Sequence, residues 1–339
     1  MAKSKKSRPT MLDVARLSGV SYQTVSRVIN NHPYVSEDTR QKVQEAIDTL
    51  NYRPSKAATK LRAKLSNTIA IILYGSWFNG PVQIALNVEM AAKTSGFDVI
   101  LHNVTEPEQQ VTKALQHVKD WGVDGVVMVV PAQGLPIRQI QSICGDIPVV
   151  FIDANGVDGL PSVILDEADG TRQVVEHLIA LGHERFCEIS GPLNWYSAQR
   201  RHRACLDALK AHGLPMPLHS ESNWTTPGGY QATRRILEQG ESFTAIVAAN
   251  DNMALGAYRA LYQAGLSVPD DVSVVGFDDI VESAYLTPPL TTVRHNFIQL
   301  GAVGFKSLLQ LMDDPDNTIE QEMIAPRLVI RESTTSVSS

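Results

Sequence analysis

At 339 residues, the chain has room for two or three domains of roughly 100–200 residues, and 43% hydrophobic residues can supply sizeable cores. No apolar run approaches the ~20 residues that span a bilayer. No apolar stretch follows the basic start MAKSKKSRPT as a secretory signal requires, and Cys144, Cys187 and Cys205 lack disulfide or metal spacing, so the expectation is a cytoplasmic protein with reduced core thiols.

The net charge of −6 is unevenly spread: 13 of the 30 Lys/Arg but only 5 of the 36 Asp/Glu lie in residues 1–65. A basic module before an acidic body points to a polyanion partner at one end. A solvated tail, residues 1–9, accounts for Lys3, Lys5, Lys6 and Arg8 and reads as disordered. It does not account for Arg16, Arg27, Arg40, Lys42, Arg53, Lys56, Lys60, Arg62 and Lys64, which lie in patterned sequence.

Thr10 reads as a helix cap, with Asp13 in the first turn near the positive end of the dipole. The predicted helix Met11 to Ser18 offers Val14, Ala15 and Leu17 to a core. Gly19-Val20 makes the turn, where glycine accepts a positive φ. Ser21 caps a second helix, Tyr22 to Asn30, with Val25, Val28 and Ile29 inward. Ser36 caps a third, ending near Leu50, with Val43, Ala46, Ile47 and Leu50 at helical spacing. Residues 10–53 therefore read as an all-α helix-turn-helix domain. Tyr22, Gln23, Ser26 and Arg27 are expected on the outer face of the second helix. There Gln pairs with adenine and Arg with guanine in the major groove; an ordinary polar helix face is the alternative.

The run from Leu12-Asp13-Val14-Ala15 through Gly19-Val20-Ser21-Tyr22-Gln23-Thr24-Val25-Ser26-Arg27-Val28-Ile29-Asn30, then Val35-Ser36, Thr39-Arg40 and Leu50-Asn51-Tyr52-Arg53-Pro54, resembles the LacI/GalR repressor family. The resemblance continues to about residue 335. It implies that Ser21, Tyr22, Gln23, Ser26, Arg27 and Asn30 contact a palindromic, lac-like operator read by a dimer. Pro54 stops the third helix. Residues 54–65 then match the family's hinge helix and linker, too short to be stable alone. In the family this segment orders on DNA and wedges a leucine into the minor groove; Leu61 holds that position, between phosphate-seeking Lys56, Lys60, Arg62 and Lys64. A flexible basic linker is the other reading when DNA is absent.

From residue 66 short β-rich runs alternate with helical stretches: 68–73, 98–102, 125–130, 149–152, 163–165, 186–189, 245–249 and 272–275 as strands, with helices such as 168–181, 197–212 and 253–264 between them. This alternation implies α/β architecture with parallel sheets covered on both faces, and the length suggests two lobes. The resemblance implies a periplasmic-binding-protein-like core of two doubly wound lobes, about 66–166 with 295–325 and about 167–294 with 326–335, leaving a tail 336–339.

Ligands in such sheets sit beyond the carboxyl ends of the strands. Asp153, Asn250 and Asp278 fall at such ends, and Arg201 early in the helix after Trp195-Tyr196-Ser197. Singly, each serves equally well as a helix cap or turn-former, as Asp251 and Asp279 also do. Aromatics are 6% of the chain, yet Trp77, Trp195 and Trp224 fall in predicted loops near strand ends, where an indole plane suits the apolar face of a sugar. By the resemblance, Asp153, Arg201, Asn250 and Asp278 lie on effector-contact positions, and Trp224 and Phe297 on aromatic ones. Tyr74, Trp77 and Trp195 depart from the family pattern and imply a more aromatic pocket; Trp77 and Trp195 as core or interface aromatics is the alternative.

No GxSxG, HExxH or Walker A motif occurs, so neither enzyme nor cofactor is expected. His183 reads as a helix cap. The resemblance places subunit contacts on helix 83–95 and around 254–261, and the tail 332–339 has no heptad leucines, so a dimer is expected rather than a tetramer. The expectation is a cytoplasmic, nucleoid-associated repressor of carbohydrate-utilisation genes, released by a sugar such as a β-linked disaccharide, a galactoside or a glucoside. The alternatives are a corepressor-type regulator binding a purine, a non-regulatory sugar-binding protein, and an enzyme with an accessory DNA-binding module.

Overall fold

The computed structural model describes residues 9–29, 35–50, 66–130, 134–153, 161–314, 317, 319 and 321–337. The expectations for Asn30, Leu61, the basic tail before residue 9 and the hinge segment lie outside these residues. The chain divides into two compact units, Met1–Ser66 and Asn67–Ser339.

The first unit contains α1 (Met11–Ser18), α2 (Tyr22–Ile29) and α3 (Glu37–Leu50). Thr10 and Asp13 form a reciprocal capping box: the Thr10 hydroxyl accepts from the Asp13 amide, and the Thr10 amide donates to Asp13 Oδ2 at 2.9 Å. Gly19 closes α1 at φ 67°, its amide donating to the Ala15 carbonyl. Ser21 Oγ accepts from the Thr24 amide at 3.1 Å and caps α2. Val14, Ala15, Val25, Val28, Val43 and Ala46 form the core, with Met11, Val20, Val35, Ile47 and Leu50 packed around it.

Two expectations fail here. Leu17 is 52% exposed, because the buried stripe of α1 is centred on Val14 and Ala15 and leaves Leu12 and Leu17 on its two flanks. Ser26 is buried rather than outward, next to the buried Val25 on α2.

The second unit holds two parallel sheets and a ribbon. The first sheet has the order β11-β5-β4-β3-β1-β2, with β1 Thr68–Tyr74, β2 Asp98–Val104, β3 Gly125–Val129, β4 Val149–Ile152, β5 Ser162–Leu165 and β11 Glu322–Ile324. Side chains alternate between its faces. Ile69, Ile71 and Leu73 pack on α4 (Asn79–Thr94) and α11 (Phe297–Asp313). Ala70 and Ile72 pack on α5 (Pro107–Asp120) and α6 (Ile137–Cys144). Burial on both faces explains the unbroken apolar runs.

The second sheet has the order β7-β6-β8-β9, with β6 Phe186–Ser190, β7 Leu218–Glu221, β8 Ala245–Ala248 and β9 Ser273–Val275. Between α7 (Glu167–Ala180) and α8 (Tyr196–Ala211) on one face and α9 (Thr226–Leu237) and α10 (Asp251–Gln263) on the other, its strands β6, β8 and β9 are fully covered, while edge strand β7 leaves His219 and Glu221 exposed. β10 (Thr292–Arg294) pairs antiparallel with β12 (Arg327–Val329). The chain passes between the sheets three times, after β5, after β10 and after β11.

The strands β7, β10, β11 and β12 went unread, since each has only three or four residues. His183 does close α7, but through its backbone, its amide donating to the Leu178 carbonyl at 3.1 Å, and its side chain does something else. It is buried, with Nδ1 2.9 Å from Thr244 Oγ1 and Nε2 3.0 Å from Ser273 Oγ, and so bridges the segments entering β8 and β9. Order also extends past residue 335: the Val337 amide donates to the Leu181 carbonyl at 3.0 Å. Around 254–261, Ala254, Ala257, Ala260 and Leu261 are spent on the chain's own core, whereas Leu86 and Met90 on α4 are exposed. Cys144, Cys187 and Cys205 are free and buried.

Candidate functional site

On α2, Gln23 and Arg27 are one turn apart and both exposed, opposite Val25 and Val28. Tyr22 is 40% exposed beside them. The exposed Ser21 is occupied by its cap, its hydroxyl also lying 2.9 Å from Thr24 Oγ1. A helix that begins with a satisfied cap and carries an amide and a guanidinium on one outer edge has the chemistry for base edges in a major groove.

The second unit has a pocket lined by residues at or just after the ends of β4, β5, β8, β9 and β10 and from the starts of α4, α8 and α11. It holds seven of the nine residues expected there: Asp153, Trp195, Arg201, Trp224, Asn250, Asp278 and Phe297. Trp77 lies on an adjoining outer recess with Phe78, Asp279 and Val281 and is 56% exposed. Tyr74 lines neither space; it stands behind the wall, its ring 5.3 Å from Trp195 and 6.2 Å from Trp77.

Arg201 is the hub. Its Nε lies 2.6 Å from Glu167 Oε2 and Nη2 3.1 Å from Glu167 Oε1, a two-pronged pair. Nη1 donates to the Ala249 carbonyl, and Nη2 lies 3.5 Å from Asp278 Oδ1. The guanidinium lies 3.9 Å from the Phe277 ring centroid and 5.6 Å from that of Trp224. Burial opposes its charge, but Glu167 and Asp278 hold its pKa above the ordinary value. Burial likewise opposes the Glu167 charge, yet Arg201 keeps that carboxyl below its usual range.

The other two carboxyls behave differently. Burial pushes Asp278 up to about 8, against the pull of Arg201, and burial with the Glu167 charge pushes Asp153 up to about 7. In both, the cost of burying a charge outweighs the pull of the nearby guanidinium groups. His295, between Glu167 and Asp278, is driven down to about 4 by burial and is neutral.

The backbone is bent to present these groups. Asp153, Trp224 and Asp278 have φ of 59°, 67° and 105°, values unfavourable for residues with a Cβ. Asn250 supports one of these bends: its Oδ1 accepts from the Met253 amide at 2.8 Å, capping α10, and its Nδ2 donates to the Trp224 carbonyl at 3.0 Å. Gly191 gives way to the indole, since a Cβ there would lie 2.3 Å from Trp224. Among the described residues, Asp153 Oδ1, Trp224 Nε1 and His295 Nδ1 are buried without a hydrogen-bond partner. An acceptor, a donor and an imidazole nitrogen thus face a cavity whose wall runs from Trp224 to Trp195 at 5.8 Å and to Phe78 at a further 5.3 Å.

Glu167, His295, Phe277 and Phe78 were missed. Glu167 follows β5 as Asp153 follows β4, and His295 follows β10, so the strand-end rule reached them in principle. A carboxylate in the first turn of a helix reads first as a dipole partner, and the unread β10 hid the histidine. Asp251 and Asp279 serve the framework. Asp251 accepts from Thr292 Oγ1, Ser283 Oγ and the Ile280 amide, and Asp279 pairs with Arg294 and Arg331.

Residues 10–55 match the family model of bacterial regulatory proteins of the lacI family, and residues 175–334 that of a periplasmic binding protein-like domain. The lactose operon repressor of Escherichia coli (strain K12) is 35% identical over 327 residues, covering 96% of this chain and 90% of that protein. The transcriptional repressor PurR of Haemophilus influenzae (strain PittEE) is 33% identical over 338 residues, 97% of this chain and 99% of its own. Among solved structures, a lac repressor dimer bound to operator and the anti-inducer ONPF has a TM-score of 0.91 at 34% identity, covering 97% of this chain and all of that one. The complex of the regulator CelR with cellobiose has a TM-score of 0.73 at 30% identity, covering 96% of this chain and all of that one.

Proposed function

The chain belongs to the LacI family of bacterial regulatory proteins, and from that premise we propose that it is a dimeric repressor of carbohydrate-utilisation genes whose operator binding is relieved by a sugar. The observation that carries the sugar is the trio of orphaned polar atoms, Asp153 Oδ1, Trp224 Nε1 and His295 Nδ1, set beside an aromatic wall. A hydroxyl both donates and accepts, so a polyol satisfies all three, and the axial C–H face of a pyranose covers an indole. The outer recess with Trp77 and Phe78 gives room for a second ring, which favours a β-linked disaccharide or an aryl glycoside over a monosaccharide. CelR, solved with cellobiose, is a relative with such a ligand.

On this reading Gln23 and Arg27 read base edges of a palindromic operator, Asn30 supports that contact, and Leu61 wedges the minor groove in the bound dimer. Exposed Leu86 and Met90 support α4 as a subunit contact. DNA and sugar stabilise different lobe arrangements, so each weakens the other by the same factor. The protein acts on DNA in the cytoplasm and is regulatory rather than catalytic. Among the described residues no helix is long and apolar enough to cross a membrane.

A second reading, a purine corepressor, rests on the Trp224 indole, which stacks a base as readily as a sugar, and on the likeness to PurR. One experiment separates the two: a thermal-shift screen of mono- and disaccharides and purines, then operator mobility shift with each hit. A disaccharide that stabilises the protein and releases DNA supports the proposal. A purine that stabilises it and tightens DNA replaces it.

A further inference from the structure

Away from this pocket, the second sheet buries a charge that the pocket chemistry does not use. Glu188 is the middle residue of β6, between the fully buried Cys187 and Ile189, and is itself only 2% exposed. Its register partner on β7 is His219, so both side chains leave the sheet on the same face. His202 of α8 comes down onto that face, its Nδ1 2.7 Å from Glu188 Oε2. The two imidazole rings lie 4.8 Å apart between centroids, tilted by 39°. One ligating atom from each of Glu188, His202 and His219 lies within 4.8 Å of the other two.

We propose that Glu188, His202 and His219 form a binding site for a late first-row divalent cation, with Zn²⁺ the best-suited ion. Two imidazole nitrogens and a carboxylate oxygen are the donor set such ions prefer. Metal–ligand bonds of about 2.0–2.1 Å place tetrahedral donors roughly 3.4 Å apart, so the widest separation in the cluster, within 4.8 Å, closes by up to about 1.4 Å on binding. His219, on the exposed side, supplies that movement and leaves its 2.9 Å contact with Ser190 Oγ. The fourth position opens to solvent. Glu221, two residues further along β7, acts electrostatically on both rings and strengthens the negative field.

A divalent ion gives the buried Glu188 a full counter-charge, whereas the imidazole beside it is a cation only while protonated. The bound ion ties β6, β7 and α8 together, one residue along from Arg201. The site is independent of which ligand the pocket takes.

The test uses the full-length chain without an affinity tag, stripped with EDTA and dialysed. Zn²⁺ is titrated by calorimetry and followed by thermal melting, and Co²⁺ by its visible absorption. The expected result is one Zn²⁺ per chain with a rise in Tm, and Co²⁺ bands of a low-symmetry nitrogen–oxygen site. His219→Ala and His202→Gln should each lose that equivalent and the Co²⁺ bands while keeping the native far-UV spectrum. Glu188→Gln should do the same, but His219, being exposed, is the deciding position. Wild-type protein that takes up no such equivalent, or a His219→Ala variant that keeps it, overturns the proposal.

Discussion

The Arg201–Glu167 pair offers the sharpest test of how the pocket is held together. Glu167→Gln keeps the shape but removes the carboxylate that grips Arg201 at 2.6 and 3.1 Å. Stripping one partner from a buried ion pair costs about 3–5 kcal/mol, because the remaining charge is left without compensation. A substitute is at hand: Asp278 Oδ1 is 3.5 Å from Arg201 Nη2, and the Glu167 charge is one reason Asp278 is raised to about 8. Removing Glu167 lowers the Asp278 pKa and lets it take over, so the loss falls near the lower bound, about 3 kcal/mol. At roughly 2–4 °C per kcal/mol for a unit of this size, Tm falls by about 6–12 °C.

The loss depends on pH. A carboxyl whose folded pKa is raised contributes stability that is full below its unfolded value, 3.8, and is lost as pH rises towards about 8. In the wild type Asp278 follows that course. In Glu167→Gln it ionises earlier and pairs with Arg201, so the Tm gap to wild type is larger near about pH 6 than near about pH 8.5. Thermal melts by circular dichroism at the two pH values read this directly. Arg201→Met combined with Glu167→Gln should cost no more than either change alone, because no unpaired charge remains. A gap that does not change with pH, together with additive losses in the double variant, would refute the account.

Four further outcomes are expected. Gln23→Ala and Arg27→Ala each weaken operator binding by roughly 5–150-fold, the worth of one bidentate base contact, in a mobility-shift titration; unchanged affinity removes the residue from the reading face. Asp278→Asn abolishes the effector response while operator affinity without effector is kept, measured by adding each thermal-shift hit to the DNA complex. Gly256→Ala forces α9 and α10 apart, since its Cβ would lie 2.2 Å from the Thr226 carbonyl oxygen and 2.3 Å from the Tyr230 nitrogen, both backbone atoms that cannot swing aside; overpacking of this kind costs about 1–3 kcal/mol, read as a lower Tm. Leu61→Ser lowers operator affinity and leaves sugar affinity nearly intact; equal operator affinity discards the minor-groove wedge.

Much of the molecule is written in local patterns. The cap at Thr10, the turn at Gly19 and the 3.6-residue periodicity of α3 need only neighbouring residues, and so they were readable. The long apolar runs at 68–73 and 125–130 were readable too, because strands buried on both faces carry no polar interruption. Strand β7, Leu-His-Ser-Glu, was not readable, since this edge strand buries Ser220, half-buries Leu218 and leaves His219 and Glu221 exposed. Ser26 and Leu17 failed for a related reason. A periodic pattern locates the centre of a buried stripe better than its rim, and the rim is set by how closely the partner helix approaches.

The site divides in the same way. Rules about strand ends placed Asp153, Asn250 and Asp278 around one cavity, because a parallel sheet delivers every strand's carboxyl end to the same rim. What each group does there came only from the assembled lobes. Asn250 caps a helix and holds Trp224, Arg201 is claimed by Glu167, and Asp153 and Asp278 are raised by burial. The sequence by itself determined the two-part organisation, the outer edge of the second helix and the rim where a ligand sits, because each follows from short-range periodicity and charge. Only the tertiary structure decided which side chains are free, which are spent on one another and which carry charge. Those properties depend on desolvation and on partners more than thirty residues apart in the chain, such as Arg201 and Glu167, and no local pattern encodes that distance.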